Sequence, residues 1–132
     1  TDLLTKLAHD QHSWVRAGVA LKNEISEPLI FTLSKDTDVD VQSSLGRNPS
    51  TPQSILKRIA RHSNRDVRRA VVLNKNSTNT VLRVLSDDPY PLNRVFLVGH
   101  RNIDTADLEA FLMDPEPMVR FAGARSLASR EF

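Results

Sequence analysis

Guanidinium and carboxylate groups recur in this chain at a fixed spacing. Arg16, Arg68, Arg94 and Arg120 lie on one 26-residue step, with Gln42 in the remaining place. Six residues before each stand Asp10, Asp36, His62, Asp88 and Asp114. An arginine fork matches a carboxylate, so these residues could serve a ligand, a reaction or one another. Their periodicity favours the last. It predicts a structural ladder in which each Arg meets the Asp of its own or a neighbouring repeat. Arginines held in this way are not free for ligand contacts.

A second group has no such partner in the pattern. Lys57, Arg58, Arg61, Arg65, Arg69 and Lys75 crowd one stretch, where residues 53–78 carry seven basic groups and one acidic group. The units on either side are neutral or acidic, and the whole chain has a formal net charge of +2. Such a patch could meet phosphates or an acidic protein surface. It could also be a solvated face, or pair with Asp36, Asp38 and Asp40 of the preceding unit. Confinement to one unit argues against a duplex reader, and aromatic residues are not interleaved with it as single strands favour.

Other chemistry is thinly represented. His9, Asp10 and His12 cluster, but no fourth ligand stands at a supportive spacing, so no metal site is expected. No Gly-rich phosphate loop, G-x-S-x-G or H-E-x-x-H occurs. There is no cysteine, which excludes a Cys–His pair and fits a reducing, cytoplasmic location. No catalytic residue, cofactor or small-molecule substrate is expected. No run approaches the length of a membrane span.

The elements that position these residues follow from the same step. Val15, Val41, Val67, Asn93 and Val119 form one column. Leu4, Ile30, Leu56, Leu82 and Leu108 form another, and Leu7, Leu33, Ile59, Leu85 and Phe111 a third. A period of this length means stacked supersecondary units. Within a unit, residues 52–62 read as a short helix with Thr51 as N-cap and Pro52 at the first helical position. Residues 66–74 read as a second, capped by Asp66 and closed by Asn74 in a left-handed conformation. Neither helix would persist alone, so each must be buried against neighbours. The expected fold is an all-α solenoid of five helix pairs, at about residues 1–26, 27–52, 53–78, 79–104 and 105–132. It forms one repeat domain, expected to be part of a longer protein.

The stretch GRNPSTPQSILKRIARHSNRDVRRAVVLN resembles the leucine-rich repeat variant family. Its units run approximately L-A-x-D-x-x-x-x-V-R-x-x-V-A-x-N-P-x-T-P. Asn48, Pro49, Thr51 and Pro52 match the turn, and Val67, Arg68 and Val71 match the second helix. The resemblance covers essentially the whole chain and is sharpest in repeats two and three; His100 and Ser126 replace the turn Asn later on. It implies a right-handed superhelix of alternating α and 3₁₀ helices, and little about activity. The D-x5-R spacing also resembles HEAT repeats, whose units are longer.

Function is therefore expected from a surface. The leading expectation is a non-catalytic binding scaffold with a protein partner. Nucleic-acid binding through the basic patch comes second, and a purely structural segment third. Trp14 could cover the first repeat or form a contact hot spot. Tyr90, in the turn DDPYP, is expected to be exposed. Leu92 and Met118 could form an apolar ridge beside it.

Overall fold

The computed structural model describes residues 2–130, whose regular elements are all helices joined by short turns, with no strand among them. Two series of helices alternate. The first-position series is α1 (Asp2–Leu7), α3 (Glu27–Ser34), α5 (Gln53–Ile59), α7 (Asn79–Leu82) and α9 (Thr105–Ala110). The second-position series is α2 (Ser13–Ala20), α4 (Val39–Arg47), α6 (Arg65–Leu73), α8 (Pro91–Val98) and α10 (Pro117–Arg130). Second-position helices pack in a row, α2 on α4, α4 on α6, α6 on α8 and α8 on α10. Among the described residues, 3₁₀ structure occurs only as the extensions Arg83–Leu85 and Phe111–Met113 of α7 and α9. The first-position elements of repeats one to three are α-helical.

The apolar columns become the core. Val41, Val67 and Val119 are fully buried, as are Leu45, Leu56, Leu82, Leu97 and Leu108. Each such Leu contributes about 1.5–3 kcal/mol by leaving water. Close approach of α4 and α6 is set by Gly46, where an added Cβ would lie 2.8 Å from the Ala70 Cβ. In repeat four the valine column holds Asn93, which is fully buried and fully partnered. It accepts from Arg69 Nε at 2.9 Å and donates to the Arg65 carbonyl at 3.1 Å and to Asp88 Oδ2 at 3.2 Å.

The helix ends differ from the sequence expectation at three residues. Asn64, not Asp66, caps α6: its Oδ1 accepts from the backbone N–H of Asp66 and Val67. Asp66 lies in the first turn. Asn74 closes α6 with φ −84° and ψ 113°, which is extended rather than left-handed. Its value is its amide, which spans to the preceding repeat and donates to the carbonyls of Gly46 and Asn48 at 2.9 Å each. Asn48 does the same to Ala20 and Lys22, and His100 Nε2 lies 2.8 Å from the Asn74 carbonyl. Thr51 does not cap α5. Pro52 is the cap residue, and the buried Thr51 hydroxyl donates back to the Leu45 carbonyl at 2.6 Å. Ser77 repeats that bond to Val71.

Candidate binding surfaces

The Arg and Asp columns meet in a defined register. Three of the four column arginines pair with the aspartate twenty positions on, in the following repeat: Arg16 with Asp36, Arg68 with Asp88 and Arg94 with Asp114, at 2.6, 2.8 and 2.8 Å. The last two are bidentate. Arginine Nη1 turns back to its own repeat and donates to the carbonyl six residues earlier, at Asp10, His62, Asp88 and Asp114. The aspartate serves two partners. Oδ2 takes the arginine Nε, while Oδ1 closes its own turn by accepting the backbone N–H two residues on and, in Asp88 and Asp114, also takes the arginine Nη2. The Arg94 hydrogen bond holds the Asp114 carboxyl below its usual range. Burial pushes the Asp88 carboxyl up, but Arg68, the Tyr90 N–H and Asn93 together outweigh it, so it too is lowered. Gln42 and His62 occupy one rung. Gln42 Nε2 donates to the carbonyls of Ser34 and Asp36, and His62 Nδ1 accepts from the Asn64 N–H in the aspartate's turn role.

The basic patch divides under the same scrutiny. Arg58 reaches the preceding repeat and donates to the Ser34 carbonyl at 2.7 Å. Arg69 is half-buried on Asn93 and lies 3.5 Å from Asp66 Oδ1. Arg65 is exposed, and its guanidinium carbon stands 4.2 Å from the Tyr90 ring centroid, a cation–π contact. Lys57, Arg61 and Lys75 are exposed, and their side chains have no hydrogen-bond or ion-pair partner among the described residues. None of the three acidic neighbours forms an ion pair with the patch: Asp36 is bound to Arg16, Asp38 caps α4, and Asp40 is exposed with no ion-pair partner among the described residues.

The expected protein-contact residues are also separated. Tyr90 is half-buried beneath Arg65, contrary to expectation, and Leu92 is half-buried as well. Trp14 is 73% exposed, with its ring centroid 5.3 Å from that of His12. Met118 is 67% exposed and belongs to a feature the sequence reading did not name. An open groove of about 680 Å³ runs between α8 and α10, lined by Val95 and Gly99 on one side and Pro117, Met118, Phe121, Ala122 and Arg125 on the other. Its lining is mainly apolar, and Phe121 is as exposed as Met118. Leu73 and Phe96, both partly exposed, continue the apolar strip onto α6 and α8 beside Lys75 and Arg101. The signal was present in one column. Ala17, Ser43, Arg69, Val95 and Phe121 share a helix position that carries a large apolar side chain only in the last two repeats.

Among the described residues, no group of three or more His, Asp or Glu side chains is placed to hold a metal ion. No helix is long and apolar enough to cross a membrane. No family model, curated protein or solved structure matches the chain.

Proposed function

We propose that the chain is a right-handed α-solenoid of five stacked 26-residue units, of the leucine-rich repeat variant type with HEAT-like repeats as second choice. It serves as a non-catalytic scaffold whose outer groove holds a segment of another protein. The observation that carries this is the groove between α8 and α10, where Met118 and Phe121 stay two-thirds exposed. Covering them would return about 1.5–3 kcal/mol each. Arg101 and Arg125, with no partner among the described residues, supply positive charge beside it. An amphipathic helix with an apolar stripe and acidic flanks has the matching chemistry, in the helix-in-groove mode. Nucleic-acid binding remains the runner-up because Lys57 and Arg61 are unpaired and one helical turn apart. A purely structural segment is the third reading.

Fluorescence anisotropy separates the three. The probes are a labelled amphipathic helical peptide with Glu flanks, the same peptide with Lys flanks, and labelled single- and double-stranded oligonucleotides near physiological salt. The scaffold reading expects micromolar binding of the acidic peptide, weakened at least tenfold by Phe121→Asp and unaffected by Lys57→Glu/Arg61→Glu. Oligonucleotide binding abolished by the Lys57/Arg61 change would replace it with the runner-up. Binding of no probe would leave the structural reading.

A further inference from the structure

The gap between α3 and α5, inside the row, is built unlike the gaps that follow it. In the next two repeats a side-chain amide straddles the equivalent place. Gln53 accepts the Thr78 N–H at 3.0 Å and donates to the Asn76 carbonyl at 2.8 Å. Asn79 accepts the Asp104 N–H at 2.9 Å and donates to the carboxylates of Asp104 and Asp107. One repeat before Gln53 stands Glu27, and one repeat before Thr78 stands Pro52. Proline has no backbone N–H to offer, and an ionised glutamate has no N–H of its own to give. Glu27 is exposed and makes no side-chain hydrogen bond or ion pair among the described residues.

The unbridged gap is open and apolar. A groove of about 460 Å³ lies there, lined by Pro28, Ile30 and Phe31 of α3 and by Pro52 and Ile55 across from them, with Glu27 at the start of α3. Ile55 is half-buried, whereas Leu29 and Val81, one repeat before it and one after, are buried. Phe31 is 60% exposed, in a column that continues as Lys57 and Arg83. Cations gather towards the other end of the groove. Lys35 Nζ stands 4.2 Å from the Phe31 ring centroid. Arg61 holds the position of Lys35 one repeat on, with Lys57 one turn before it. All three are exposed, and none has an ion-pair partner among the described residues. Asp36, next to Lys35, is already held by Arg16.

We propose that this groove binds a short acidic segment of another protein, with an apolar side chain between Phe31 and Ile55 and carboxylates on Lys35, Lys57 and Arg61. The eight residues of α3 span about 12 Å, the length of about four residues of extended chain. The site is therefore too short for the amphipathic helix placed between α8 and α10. It is a second contact surface of the scaffold, on the first-position helices, and does not depend on that groove being filled. Glu27 repels carboxylates at its own end, so the acidic residues of the ligand lie on one side of the apolar anchor.

Amide chemical shifts of the full chain, followed by NMR, locate the contact residue by residue. The probes are blocked peptides with three glutamates before or after one leucine, their counterparts with three lysines, and a short oligothymidine. A glutamate peptide, in at least one order, should shift amides within residues 27–35 and 53–61, with a dissociation constant on the order of 1 mM or below. Phe31→Ala, at an exposed position, and Lys57→Glu/Arg61→Glu should each weaken that binding about tenfold, with helix content unchanged by circular dichroism. No shift in these residues at millimolar peptide would overturn the proposal. So would equal shifts with the lysine peptides, shifts from the oligothymidine alone, or variants that bind as well as wild type. Shifts confined to α8 and α10 would also overturn it, while leaving the reading of the other groove in place.

Discussion

The junction between repeats three and four and the junction between repeats two and three solve one problem with different chemistry. At the first, Arg68 grips Asp88 bidentately, Asn93 ties Arg69 to the Arg65 backbone, and Tyr90 lies under Arg65. At the second, Gln42 and His62 share the rung and no ion pair forms. That junction rests on the Gly46–Ala70 contact, the Asn74 amide and Arg58 on the Ser34 carbonyl. The contrast shows that the ladder aspartate has two separable duties. His62 keeps the turn-closing duty through Nδ1 and drops the pairing duty, and Gln42 drops the matching charge. Among the described residues, no buried side-chain nitrogen or oxygen is left without a hydrogen-bond partner.

The largest expected effect breaks the charged junction. Arg68→Ala strands the Asp88 carboxylate, whose side chain is 0% exposed, and should cost about 3–5 kcal/mol in urea unfolding. Gln42→Ala, which removes hydrogen bonds but strands no charge, should cost about 1–2 kcal/mol. Acid should separate the junctions in the same direction. The carboxyls of Asp88 and Asp114 are lowered in the folded chain, so their contribution is complete above the ordinary value of 3.8 and is lost as pH falls through the lowered values. Thermal melts from pH 6 down to pH 2 should show this loss reduced in Arg68→Ala.

A smaller effect tests the uncharged junction. Gly46→Ala drives a Cβ to 2.8 Å from Ala70, which cannot rotate away, and should cost about 1–3 kcal/mol. Gly18→Ala, with open space around it, should be neutral or slightly stabilising. The smallest effect converts one junction into the other. Gln42→Arg and His62→Asp should each destabilise alone, and together should recover or exceed wild-type stability by about 1 kcal/mol.

The repeat, the helix pairs and the core columns were legible in the sequence because burial imposes one apolar residue type on every copy. The ladder's members were legible for the same reason, but its register needed one further step. Pairing within a repeat would orphan Asp36 opposite Gln42 and Arg68 opposite His62. Pairing with the following repeat puts Gln42 and His62 on the same rung and leaves no residue between Arg16 and Asp114 without its counterpart. The capping roles were less legible: Asn64 caps α6 two residues before Asp66, while Thr51 and Asn74 each make a bond whose partner lies outside the local helix start. Thr51 and Asn74 look like caps by residue type, yet they serve carbonyls of the preceding helix or repeat. Tyr90 was misplaced because a turn between two prolines reads as exposed, whereas Arg65 folds over its ring. The groove was not legible because Phe121 follows residues of mixed character in its column, which is small, polar or charged in the first three repeats.

The register of the ladder is tested most directly by two double-mutant cycles that share Asp88. One pairs Asp88→Asn with Arg68→Gln, across twenty residues and two repeats. The other pairs Asp88→Asn with Arg94→Gln, six residues apart in one repeat. Unfolding free energies should give a coupling of about 2 kcal/mol or more in the first and close to zero in the second. Coupling concentrated in the Asp88–Arg94 pair would contradict the inter-repeat ladder, and with it the division of the arginines into those that hold the stack and those left for a partner.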